Sequence, residues 1–157
     1  MVIYYLTKGG YSLSAVYSLP CNIAQTLNLI GDRWSLLILH RLLMGMGTYS
    51  ELRESLEGIP SNLLSKRLKS LEEYGLVASE LYQAHPPRYR YSLTQSGREL
   101  EHVFNAIILW GEKNLTSCYK RLVHSECGHG VRIQYFCSHC KKPVPAEELE
   151  LSGNNDD

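Results

Sequence analysis

The stretch that decides the fold runs from Ser61 to Gly75 and reads SNLLSKRLKSLEEYG. Leu64, Leu68 and Leu71 recur at i, i+4 and i+7, which places them on one stripe of a helix. Ser61, Asn62, Ser65, Lys66 and Lys69 fall away from that stripe and are small or cationic, the residue types that approach base edges and phosphates. Pro60 before the segment and Gly75 after it fit a start and a stop. Taken alone, the segment reads as a helix for duplex DNA or as a surface helix with a solvated basic face. Its neighbours decide between the two.

Upstream, Ile23, Ala24, Leu27 and Ile30 define a helix opening near Cys21 and stopped by Gly31. Asp32 is placed to cap a second helix, Arg33 to Leu43, with Trp34, Leu37, Ile38 and Leu42 as its core face. Thr48 and Glu51 have capping-box spacing and open a short helix through Leu56. Glu57-Gly58-Ile59-Pro60 then turns the chain into the Ser61 segment, and two helices joined by a short Gly-containing turn are what a helix-turn-helix requires.

Downstream the period becomes extended, Leu76 to Tyr82, then a break at Pro86-Pro87, then Arg88 to Leu93. The second run alternates, so Arg88 and Arg90 share one strand face and Tyr89 and Tyr91 the other. Such a hairpin directly after a recognition helix is a wing. Thr94 next caps a helix expected to reach about Leu122, with its packing positions at Leu100, Phe104, Ile107, Gly111, Leu115, Cys118 and Leu122. A helix of that length outruns the domain, and a second copy of the chain across a two-fold axis is the economical partner for its far end.

A chain of 157 residues with 44% apolar content has room for one core and a small appended module. It contains no run of 18 or more apolar residues to cross a bilayer, so no membrane partner is expected. The first twenty residues lack a basic n-region and break at Gly9-Gly10, unlike a signal peptide. Net charge is zero, but the sum hides an asymmetry. From Arg33 to Arg98 there are nine Lys and Arg against six Asp and Glu, and from Glu99 onward the numbers are reversed. The middle of the chain is thus mildly cationic, and as a dimer it could hold phosphates.

After the long helix come His124-x-x-Cys127 and Cys137-x-x-Cys140. Four nitrogen or thiolate donors are what one tetrahedral structural zinc takes, and Gly128 and Gly130 let the backbone turn around it. With Val131 to Tyr135 alternating as a strand would, a small zinc ribbon is expected over about 123–151, with one zinc per chain. His129 and His139 compete for the fourth place, and the alternative is a set of reduced thiols. Four ligands leave no open metal position, and no carboxylate or histidine stands at a spacing suggesting a base, so no catalysis is expected.

Residues 21–115 resemble the HxlR family of winged-helix transcriptional regulators, relatives of the MarR type. The likeness is carried by Cys21, the run Leu29 to Leu39 with its Gly31-Asp32-Arg33-Trp34, Tyr49 to Leu52, and Ile59 to Leu64. Arg67-Leu68, Leu71 to Val77, Pro86-Pro87-Arg88, Tyr91 to Thr94 and Trp110-Gly111 continue it. The resemblance implies a mainly α chain with a small β-hairpin wing, that is, an α+β winged helix-turn-helix with dimer-forming terminal helices and, here, an added Cys/His ribbon. It also implies a homodimer on palindromic double-stranded DNA in bacterial or archaeal cytoplasm. Ser61, Asn62, Ser65 and Lys66 would read bases, while Lys69, Arg88 and Arg90 would hold phosphates or the minor groove. Some members sense oxidants or electrophiles through a cysteine near Cys21, which suits a thiol at a helix N-terminus; the alternative is a small buried residue that fills the dimer contact. The organisation expected is an N-terminal extension (1–20), the winged-helix and dimerisation domain (21–122), the ribbon (123–151) and a disordered tail (152–157). A rival reading is a winged helix used as a protein-interaction module. The inducer is not legible.

Overall fold

The computed structural model describes residues 16–153. Most of the expected N-terminal extension (1–15) and the end of the expected tail (154–157) lie outside the described residues. The chain forms two units, one ending at His102 and one beginning at Val103.

In the first unit, α1 (Asn22–Ile30), α2 (Ser35–Leu43), α3 (Tyr49–Ser55) and α4 (Ser61–Glu73) precede a hairpin of β1 (Val77–Gln83) and β2 (Arg88–Leu93), and α5 (Gln95–Glu99) follows. The leucine stripe is buried as its period requires: Leu64, Leu68 and Leu71 are each 0–1% exposed. Ile38 and Leu39 of α2 and Leu52 of α3, all 0% exposed, join them in the core. At about 1.5–3 kcal/mol per fully buried leucine, the three α4 leucines alone supply a large share of a small domain's stability.

Asp32 caps α2 from one turn earlier than the helix itself, accepting from the N–H groups of Trp34 (2.9 Å) and Ser35 (3.2 Å). The helix therefore starts at Ser35 rather than Arg33. Its core face is also rotated from expectation. Leu37 is 46% exposed, and Leu39 takes its place inside. On α1, Ala24 and Ile30 are buried while Ile23 and Leu27 are exposed. Tyr17 lies against α1, its N–H donating to Asn28 Oδ1 (2.8 Å) and its carbonyl accepting from Asn28 Nδ2 (3.0 Å).

The hairpin is antiparallel, with Val77 opposite Leu93 and Glu80 opposite Arg90, and shifts register between Leu81 and Gln83. An isolated bridge between Thr48 and Arg90, with the Tyr91 N–H donating to the Gly47 carbonyl (2.6 Å), ties the start of α3 to β2. Thr94 caps α5, accepting from Gly97 N–H (3.1 Å) and donating to the Gly75 carbonyl (2.6 Å).

The long helix expected from Thr94 to Leu122 is instead two. A turn at Leu100 separates α5 from α6 (Glu101–Asn114), which begins at the end of the first unit and ends eight residues short of expectation. The Asn114 side chain donates to the Trp110 carbonyl (2.7 Å), and Thr116 and Ser117 follow. Short polar side chains that offer the backbone other partners end helices that apolar spacing would continue. Phe104 of α6 is buried, whereas Val103, Ile107 and Trp110, spaced i, i+4 and i+7, are 40%, 50% and 61% exposed.

Beyond α6 the second unit has β3 (Tyr135–Cys137), paired antiparallel with β4 (Lys142–Val144), and a short 3-10 turn, Ala146–Glu148. From Leu115 to Gly153 no residue is buried.

α5 runs so close to the start of β1 that a methyl group at Gly97 would lie 2.1 Å from the Leu76 carbonyl oxygen. Backbone cannot yield as a side chain does. Gly97→Ala should therefore destabilise the fold by about 1–3 kcal/mol, as overpacking does, and urea unfolding of the variant beside the parent chain measures this.

Candidate nucleic-acid interface

Contacts at three points fix α4 in place. At its N-terminus, the Tyr49 hydroxyl donates to the Ser61 carbonyl (2.8 Å), fastening α4 to α3. At mid-helix, Arg67 Nε stands 3.1 Å from Asp32 Oδ1, off the line of a hydrogen bond, so the contact is an ion pair. The same carboxylate caps α2 and accepts from the Ser35 hydroxyl. Asp32 thus joins the turn after α1, the start of α2 and the middle of α4. The partner is Asp32 rather than a carboxylate nearer in sequence such as Glu54. At the C-terminal end, the Ser79 hydroxyl donates to Glu72 Oε1 (2.5 Å), linking α4 to β1.

With α4 so fixed, Ser61, Asn62, Ser65 and Lys66 are exposed on its first two turns, and Lys69 is exposed one turn further. Ser65 turns its hydroxyl back to the Ser61 carbonyl (3.1 Å), and Lys69 makes a long, solvent-exposed pair with Glu73 (3.9 Å). Such pairs contribute little and yield readily to a phosphate. On the hairpin, Arg88 and Arg90 are both exposed, and the Arg90 guanidinium lies over the Tyr82 ring at 5.8 Å. The tyrosine face is only half a packing face, since Tyr91 is partly buried and Tyr89 is 44% exposed. Burial pushes the Tyr91 phenol above its ordinary range, and the Glu72 carboxylate adds to that.

Glu51 fastens the start of α3. Its carboxylate accepts from the Gly47 N–H (3.0 Å), the Thr48 N–H (2.7 Å) and the Thr48 hydroxyl (2.8 Å), while Thr48 Oγ1 accepts from the Glu51 N–H (3.3 Å). The capping box expected from Thr48 and Glu51 is therefore complete. Sequence reasoning saw the cap but not that it also carries the wing through Thr48 and Gly47; no local signal marks a bridge to a strand forty residues away.

In the second unit the four expected metal donors form two pairs. His124 Nδ1 is 3.3 Å from Cys127 Sγ, and the Cys140 N–H donates to Cys137 Sγ (3.4 Å). Backbone donors from Cys140 and then His139 hold the Cys137 thiol below its ordinary range. Among the described residues no three His, Cys, Asp or Glu side chains gather in one place. Cys21 occupies the N-cap position of α1, with its thiol exposed and not capping the helix. Among the described residues no helix is long and apolar enough to cross a membrane.

Comparison with known proteins matches residues 29–119 to the HxlR-like helix-turn-helix model. An uncharacterized HTH-type transcriptional regulator of Mycobacterium bovis, Mb3122, is 33% identical over 131 residues, 82% of either chain. The solved structure of PA1607, a candidate transcription factor, superposes with a TM-score of 0.72 at 32% identity, covering 86% of this chain and 96% of that one. The redox regulator HypR in its oxidized form gives a TM-score of 0.56 at 33% identity over 62% of this chain and all of that one.

Hydrogen bonds to the Glu51 carboxylate, led by the Thr48 N–H, hold its pKa below the ordinary 4.5. A carboxyl depressed in the folded state gives stability that is present above its unfolded value and lost as pH falls through the folded one. Glu51→Gln should therefore lower the thermal midpoint near neutral pH and flatten its decline between about pH 5 and pH 3, read from melting curves across that range.

Proposed function

The chain belongs to the HxlR-like helix-turn-helix family, and on that premise we propose that it is a transcriptional regulator that binds palindromic double-stranded DNA as a homodimer. The observation that carries this reading is the face of α4. A helix pinned by three buried leucines and three polar contacts presents Ser61, Asn62, Ser65 and Lys66 on its N-terminal turns, where a recognition helix meets base edges in the major groove. Lys69, Arg88 and Arg90 flank them as phosphate or minor-groove contacts.

Homodimerisation is supported by exposed apolar surface at the expected terminal helices: Val103, Ile107 and Trp110 on α6, and Ile23 and Leu27 on α1. A helix stripe of that kind is covered in use. With α6 ending at Asn114, the stripe replaces helix length as the reason for a second copy. Two copies double the modest positive charge of the middle of the chain and read two half-sites about one helical turn apart. The response to a signal is proposed to run through Cys21, an exposed thiol on α1. The redox regulator HypR among the structural neighbours favours that over a small-molecule inducer. Diamide treatment should weaken operator binding of the parent chain and not of Cys21→Ser.

Selection of bound DNA from a random pool should enrich a palindrome; failure to enrich any symmetric site would remove this reading. On the selected site, Lys66→Ala should cost about 1–3 kcal/mol and relax preference at one base pair, whereas Arg88→Ala and Arg90→Ala should weaken all sequences alike and each reduce the salt slope by about 1. Affinity that barely changes with salt would favour the protein-interaction module instead. Trp110→Asp should convert the dimer to a monomer in light scattering.

A further inference from the structure

The second unit poses a physical problem independent of DNA binding. From Leu115 to Gly153 no side chain is buried, yet the segment is folded into a hairpin, a bridge between Val123 and Gly130 and a 3-10 turn. A two-stranded hairpin with three residues a side does not hold itself in water, and a segment this size without a core needs a staple.

The staple is written in two turns of the same shape. In the first, His124 and Cys127 stand in contact, the residue after Cys127 is Gly128 at φ +70°, and the His124 N–H donates to the His129 carbonyl (2.9 Å). In the second, Cys137 and Cys140 stand in contact, the residue after Cys140 is Lys141 at φ +53°, and Cys137 pairs with Lys142 across the turn. Donor, two residues, donor, left-handed residue, and a strand pair closing the loop recur in both. Lys141 is the one non-glycine residue at positive φ among the described residues. A side chain in that conformation persists where the surroundings over-determine it. The Cys140 N–H is aimed at Cys137 Sγ, a backbone contact that orients the sulfur within the turn.

We propose that these two turns are the halves of one structural zinc site, with His124 through Nδ1 and Cys127, Cys137 and Cys140 through sulfur as its four ligands. The pairs stand separately as described above, and binding draws them onto a single ion. Three sulfurs and an imidazole make a closed tetrahedral set, which selects Zn2+ over hard cations and leaves no position for substrate. Each thiol gives up its proton on binding, and the binding energy becomes the folding energy that the missing core does not supply. Lys141 and Lys142 lie beside the second pair and offset the net negative charge of three thiolates on a divalent ion.

The test uses full-length protein purified without a histidine tag. Metal analysis should find about one zinc per chain, and Co2+ put in its place should show the intense visible bands of tetrahedral sulfur-rich coordination. Cys137→Ser should lose the metal and expose residues 115–153 to limited proteolysis while the first unit stays protected. His124→Cys, which keeps four ligands, should retain it, and His124→Ala should not. Zinc below about a tenth of an equivalent, full zinc retained by Cys137→Ser, or an intramolecular disulfide among these cysteines in freshly purified protein would each overturn the proposal. Full zinc retained by His124→Ala would overturn the assigned donor set.

Discussion

The burial of three leucines one helix turn apart governs the first unit. Leu64, Leu68 and Leu71 are essentially without solvent contact, so α4 cannot rotate about its axis without exposing one of them, at about 2–5 kcal/mol for the loss of a leucine from a packed core. That constraint sets which face is left over. Polar contacts then fix what burial leaves free, the tilt and the end positions: Tyr49 at one end, Asp32 in the middle, Ser79 at the other. Of these, Asp32 joins the most parts. A single carboxylate caps α2 and meets Arg67, so the start of one helix and the middle of the next share one charge. The pair is partly exposed, with 29% and 21% of the two side chains open, and its Coulomb energy is screened accordingly. Its value lies in register more than in stability.

Most of this was legible from the residues because it is local. Period gives α4, the capping box gives α3, and alternation from Arg88 gives the second strand. Where reading failed, the deciding force lay elsewhere in the sequence. Leu37 and Leu39 are equally apolar, and only the tertiary position of α2 determines which is inside. Arg67 had nearer carboxylates in sequence than Asp32, and the fold, not proximity along the chain, chose the partner. The expected helix to Leu122 followed a run of apolar spacings through residues that do not sustain a helix; it ends at Asn114, whose side chain bonds the Trp110 carbonyl, and spacing carries no information about the polar residues in between.

The two units obey different rules. The first is held by apolar burial and decorated with charge. The second, beyond Asn114, has exposed apolar side chains such as Phe136, 62% exposed, and Tyr119, 86% exposed, but no interior to receive them. Residues that bear chemistry there are therefore not incidental to its fold. In the first unit a cysteine such as Cys21 can be altered without removing any buried group, whereas in the second the thiols stand in a segment that has no buried residue at all.

That difference bears on regulation. A thiol that serves as a ligand is protected from oxidants by its metal and gives up structure when it loses it, while an exposed thiol on a well-packed module changes only its own surface. Five cysteines in one chain thus fall into chemically separate classes: Cys21 on α1, Cys118 just after α6, and the three in the twin turns. On the proposed reading, a redox signal acting through Cys21 would reach DNA by way of α1 and its exposed Ile23 and Leu27, without removing a buried group. If the zinc site forms as proposed, one acting through Cys137 would act by releasing the C-terminal segment. The first fits a reversible switch at the surface proposed for the dimer, and the second fits an irreversible loss of local structure, so the same oxidant applied at increasing dose separates the two by the order in which operator binding and protease resistance are lost.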